Sequence, residues 1–160
     1  MKDILISGKE FNEIFPRECT KVVFAQVDEE VEDSFNLAEF GNIKGIVVGT
    51  TLYVTSPNVI YANTDCSEMF KGLDKVNAIL FDNFNTEDVV NMANMFEGCS
   101  SIFTLNATEF NLSNVDTMVC MFKDSSNLRY LGLNCENLRS TTDSKGIFSN
   151  CKRIRLGNII

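Results

Sequence analysis

Apolar residues return to the same places every 26 positions through the second half of the chain. The pentad Met69-Phe70-Lys71-Gly72-Leu73 recurs as Met95-Phe96-Glu97-Gly98-Cys99 and Met121-Phe122-Lys123-Asp124-Ser125, with a weaker copy at Ile147-Phe148-Ser149-Asn150-Cys151. A fixed period of this length signals a solenoid in which each unit packs on its neighbours. After each pentad comes an L-x-x-L-x-L spacing: Val76, Ile79, Phe81, then Ile102, Leu105, Ala107, then Leu128, Leu131, Leu133. That spacing predicts a strand whose alternate residues turn inward. Ile154 and Leu156 form a fourth copy, one place out of register. Before the pentads, Val89, Met92, Met95 and Phe96 fall at i, i+3, i+6 and i+7, and Val115, Met118, Met121 and Phe122 repeat this. The spacing predicts one face of a helix about three turns long. Glu87-Asp88 and Ser113-Asn114 stand where free helix N–H groups favour carboxylates and small polar caps. The predicted fold is therefore α/β: a leucine-rich-repeat solenoid of about 3.5 strand–helix units over residues 65–160. Phe84 and Phe110 share a column and are expected between the layers; Glu136 takes that column in the third unit, so the connection after Leu133 should differ.

Residues 1–64 read as a capping region. Ser7-Gly8-Lys9-Glu10 has the spacing of a capping box, and Phe11, Ile14 and Phe15 follow on one face of a short helix stopped by Pro16. Lys21–Val27 reads as a strand, β-branched and apolar. The five acids within residues 28–33 repel one another and predict a loop; their spacing lacks the pattern of a calcium loop. Residues 43–62 alternate apolar runs with turn residues, which predicts a hairpin or meander. An N-terminal helix plus a β-hairpin would thus seal the first repeat.

Composition narrows the chemistry. The chain has 160 residues, no histidine, and six cysteines of which no two are spaced as CxxC. Cys/His zinc sites and histidine-based triads are excluded, and the cysteines read as small buried hydrophobes. There is no P-loop, no GxGxxG after a strand and no GxSxG. Adjacent acids such as Glu29/Glu30 and Glu87/Asp88 have sufficient structural roles without acid–base chemistry. The expectation is no enzyme, no cofactor and no metal. Formal net charge is −8, with 19 acidic and 7 basic side chains in residues 1–122 against 3 and 7 in residues 123–160. No Lys or Arg lies between Lys75 and Lys123, so broad contact with nucleic acid is not expected. An acidic surface of this kind suits a basic protein partner. The N-terminus lacks an apolar h-region and no run approaches a bilayer span, so a cytoplasmic protein without membrane attachment is expected, unless a leader and anchor lie outside this sequence.

Asn111-Leu112-Ser113-Asn114-Val115-Asp116-Thr117-Met118-Val119-Cys120-Met121-Phe122 and the stretch from Asn85 to Ser101 resemble the unit N-x-S-N-V-x-x-M-x-x-M-F-x-G-C-x-x-L of the BspA-like leucine-rich-repeat family of bacterial surface proteins. Gly49–Val54, Ile60–Phe70, Leu5–Phe11 and Lys21–Phe24 are similar to the lead-in that often precedes those repeats. The resemblance implies a non-enzymatic interaction module, in a family associated with adhesion to host proteins.

A strand also predicts its outward residues. One column is Asn77, Phe103, Arg129 and Arg155; Thr104 with Tyr130, and Leu80 with Asn106, form others. Aromatics beside arginines have the composition of an interface hot spot. Asn77, Leu80, Phe103, Asn106, Arg129, Tyr130 and Arg155 are therefore the candidate partner-binding residues. The leading functional expectation is a protein–protein interaction module presenting a rigid repeat surface. Two others stand beside it: a small acidic intracellular inhibitor, phage- or mobile-element-encoded, that blocks a nucleic-acid-binding effector, and a fragment of a bacterial surface adhesin. The terminal run Gly157-Asn158-Ile159-Ile160 follows the last strand, and an unpaired apolar edge there would favour a homodimer.

Overall fold

The computed structural model describes residues 1–155. Strand β1 (Asp3–Leu5) leads into helix α1 (Gly8–Ile14). The Ser7 hydroxyl accepts the Glu10 N–H, and the Glu10 carboxylate accepts the Ser7 N–H, so the helix start is satisfied reciprocally. Pro16 cannot continue the helix. Phe11 and Phe15 are buried while Ile14 is exposed, so the apolar face is narrower than its spacing predicts.

The remaining elements are strands β2 (Lys21–Gln26), β3 (Phe35–Asn36), β4 (Ala38–Phe40), β5 (Lys44–Val48), β6 (Thr51–Ser56), β7 (Ile60–Tyr61), β8 (Ala78–Leu80), β9 (Thr104–Ala107) and β10 (Tyr130–Leu133). The acidic run 28–33 is a loop. β5 and β6 form a hairpin closed by Gly49-Thr50, in which Gly49 alone takes positive φ (62°). A left-handed first turn residue is what a two-residue type II′ connection requires. The five-stranded sheet runs β3-β5-β6-β2-β8, with β2 parallel to both its neighbours. The expected cap of helix plus hairpin is thus incomplete: β2 joins the hairpin to the first repeat strand in one sheet. β1 pairs with β4 and β7 in a three-stranded sheet, and β9 pairs with β10. β8 lies beside β9.

The strand–helix unit is the main correction. Among the described residues α1 is the single helix, and the chain is sheet-rich, so the leucine-rich-repeat solenoid of strand–helix units does not form. Residues 89–96 and 115–122, expected as helices, are irregular chain with one bridge residue each (Asn91, Thr117) that leads into tight turns from 93 and from 119. Their hydrogen bonds show why. The N–H groups of Met92, Asn94, Phe96 and Gly98 donate to the carbonyls of Thr117, Val119, Met121 and Lys123 in the following coil, at 2.8–2.9 Å. The N–H groups between them turn back: Met95 to Met92, Glu97 to Asn94, and Cys99 to Phe96, at 3.2–3.3 Å. An α-helix would send all of these to the fourth residue before. Left-handed φ recurs at Glu68, Asn94, Cys120 and Gly146, and again at Gly72, Gly98, Asp124 and Asn150. Two left-handed residues in each coil interrupt any right-handed helix. Apolar spacing of three is common to a helix face and to a chain of such turns, which is how the pattern misled.

The 26-residue register itself is visible. Isolated bridges join Asp65, Asn91, Thr117 and Asp143 in series. Phe70, Phe96, Phe122 and Phe148 stack face to face, with centroids 5.3, 5.3 and 5.7 Å apart. Stacked aromatic pairs contribute about 0.5–1.5 kcal/mol each beyond burial. α1 closes one end of this column: the Phe11 ring lies edge-on to Phe70 at 5.6 Å, and the Asn12 amide donates to the carbonyls of Met69 and Lys71. Phe84 and Phe110 are both buried, 5.9 Å apart. In the third unit Glu136 is exposed and Leu138 packs partly against the core.

Candidate protein-binding face

The repeat strands bury the predicted residues Ile79, Leu105, Ala107, Leu131 and Leu133, which forces their neighbours outward. Leu80, Phe103 and Tyr130 are exposed by 40%, 43% and 43%. Phe103 and Tyr130 meet edge to face at 5.5 Å, and the Arg129 guanidinium lies 5.5 Å from the Tyr130 ring centre. The Phe103 carbonyl accepts the N–H groups of Arg129 and Tyr130, which holds the pair in place from the backbone. These three predicted residues form one cluster. Leu80 and Asn106 border a common cavity at the far ends of β8 and β9. The Asn106 side-chain oxygen is occupied locally, accepting the Thr108 N–H and hydroxyl. Asn77 is exposed and its N–H donates to Thr20, which ties the loop to β2. Arg155 is exposed and lies in no strand. Neither joins the aromatic cluster through a ring contact or ion pair among the described residues. The proposed homodimer edge at Gly157–Ile160 lies outside the described residues.

Strand pairing adds a surface that the sequence reading passed over. Register aligns Ile46 with Tyr53, Tyr53 with Val23, and Val23 with Leu80. All four side chains are partly or largely exposed on the outward side of the five-stranded sheet. Their inward neighbours Val22, Phe24, Leu52, Val54 and Ile79 are buried in the core. An apolar row therefore crosses four strands and ends at Leu80, which shares a cavity wall with Asn106 of β9; Phe103 and Tyr130 stand at the N-terminal ends of β9 and β10. Alternation within Lys21–Gln26 and Thr51–Ser56 was the available signal; the parallel placement of β2 between β6 and β8 was not.

The cysteines have structural surroundings. Cys99 and Cys151 thiols donate to the carbonyls of Phe70 and Phe122, as the Ser125 hydroxyl does to Phe96. Burial pushes the Cys99 thiol up to about 12 and raises Cys66 further, so neither is a thiolate at neutral pH. Cys135 alone among the six is exposed. Among the described residues no cluster of His, Cys, Asp or Glu is placed to hold a metal ion, and no helix is long and apolar enough to cross a membrane.

Stacked 26-residue coils beside a sheet with one face partly open define a repeat protein. Over residues 53–157 the chain matches the family described as Mycoplasma protein of unknown function, DUF285, and it belongs to that family. No curated protein and no solved structure matches it.

Proposed function

We propose that this protein is a non-enzymatic binding module whose outward sheet face receives another protein. One observation carries the reading: the row Ile46, Tyr53, Val23 and Leu80, continuous in register and partly exposed, ends on β8, which lies beside β9, and the exposed Phe103–Tyr130 pair stands at the N-terminal ends of β9 and β10. Aromatic and aliphatic residues on a face held flat by strand pairing give contact area at little cost in ordering. The BspA-like resemblance of the pentads supports adhesion to a protein ligand as its specific form.

The test is capture from an extract of the native host on immobilised protein. The wild type is compared with Phe103→Ala/Tyr130→Ala, with Leu80→Ser, and with Ile14→Ser on α1 as a control. Hot-spot residues cost about 2 kcal/mol or more on truncation, or roughly thirtyfold in affinity. A protein retained by wild type and control but lost by the two face variants supports the reading. Equal retention by all four contradicts it.

A further inference from the structure

At the C-terminal ends of β8 and β9 the face falls into a groove. Two adjoining cavities of about 260 and 430 Å³ share Phe81, Asp82 and Glu109 in their walls. The floor is apolar: Leu80, half-buried Phe81 and buried Phe110, with the last two rings meeting at 4.8 Å. Asp82 and Glu109 are exposed at the rim, and among the described residues neither is in an ion pair. No basic residue lines either cavity.

The far wall shows what such a rim accepts. Glu87 borders the larger cavity, and with Asp88 it already holds an ammonium, that of Lys2, at 2.8 Å from each carboxylate and 4.3 Å from the Tyr61 ring centre. Carboxylates beside an aromatic ring are used here for a lysine of the chain itself. The same combination is repeated where Asp82 and Glu109 stand beside Phe81, and among the described residues no cation is paired with either carboxylate. Charge along the strands agrees. Lys21, Lys75 and Arg129 precede or begin strands β2, β8 and β10, while Asp28, Asp82, Glu109 and Glu136 follow strands β2, β8, β9 and β10.

We propose that this groove binds a peptide segment of a partner protein in which a lysine or arginine stands next to an aliphatic residue. The aliphatic side chain covers Leu80, Phe81 and Phe110, and the cation lies between Asp82 and Glu109 with its stem along the Phe81 ring. The inference rests on the binding role proposed above, and names the chemistry of the partner at one end of that face.

The test is a two-dimensional amide NMR titration of the whole protein at low salt. The probe is a capped peptide of alternating leucine and lysine; matched peptides replace lysine by glutamate or leucine by serine. Shifts are expected at Leu80, Asp82, Asn106 and Glu109 with the leucine–lysine peptide alone, and they should shrink at high salt. Asp82→Asn/Glu109→Gln, both exposed and expected to fold, should weaken binding at least tenfold, while the exposed Ile14→Ser on α1 should leave it unchanged. The proposal is overturned if the glutamate or serine peptide binds as well, if the charge variant binds unchanged, or if no shift falls in the groove. Shifts at the same amides on concentrating the protein without peptide would assign the groove to a second copy and also overturn it. Loss of this peptide site with capture through Phe103 and Tyr130 intact would leave the wider binding role standing.

Discussion

At the scale of single residues, backbone handedness and one half-buried carboxylate explain most of what the coils require. Gly98 has φ of 72°, and a Cβ there would lie 3.6 Å from Gly72. The space is adequate and the torsion is not. Gly98→Ala should therefore lower stability by about 1 kcal/mol, read from denaturant midpoints, while Asn94→Gly at φ of 59° relieves the torsion but loses the amide's 2.7 Å hydrogen bond to Glu97 and should be no better than neutral. Glu97 lies between Lys71 and Lys123, both at 3.2 Å, in the column that 26-residue stacking creates. Burial opposes its ionisation, but hydrogen bonds from Lys71, Lys123 and Asn94 outweigh burial and hold the carboxyl below its ordinary range. Its contribution is complete above the ordinary glutamate range and is lost as pH falls through the lowered folded value. Glu97→Gln should cost about 0.5–1 kcal/mol at neutral pH, modest because both lysines are largely exposed. The cost should vanish in acid, where wild type and variant unfold alike; an unchanged difference below pH 3 would sink this assignment.

At the scale of elements, the column of stacked rings and its cap carry the repeats. Phe96 is 1% exposed and contacts a ring above and below. Phe96→Ala should cost about 3–5 kcal/mol. Asn12→Ala removes two hydrogen bonds to the first coil and should cost about 1–2 kcal/mol without changing the sheet. Native-state hydrogen exchange would place its effect at residues 69–72 first. The sequence reading was right about which strand residues face inward, since Ile79, Leu105 and Leu131 obey a period of two that nothing else produces. It failed at Val89–Phe96 because period three does not separate a helix from stacked turns. The discriminating signal was present: Asn94 with Gly98, Asp124 and Asn150 are the residue types that tolerate left-handed φ, and they recur in two columns. The apolar row on the sheet was not legible, because pairing β2 with both β6 and β8 depends on contacts distant in sequence.

At the scale of the whole molecule, turns and strands divide the work. The turn edge uses its backbone N–H groups alternately in bonds between coils and in bonds within each turn, which leaves it well satisfied. The sheet consumes its backbone within the ladders and leaves Ile46, Tyr53, Val23, Leu80, Phe103 and Tyr130 facing out. The acidic loop at 28–33 and the acidic groove lie toward one end of the strands, so a basic partner would be oriented as well as held. The most direct measurement of the central claim is hydrogen exchange of the protein alone and with a captured partner bound. New protection is predicted in strands β2, β5, β6 and β8 and around Phe103 and Tyr130, with residues 92–98 unchanged. Protection confined to the turn edge, or to the loop at 28–33, would contradict the account.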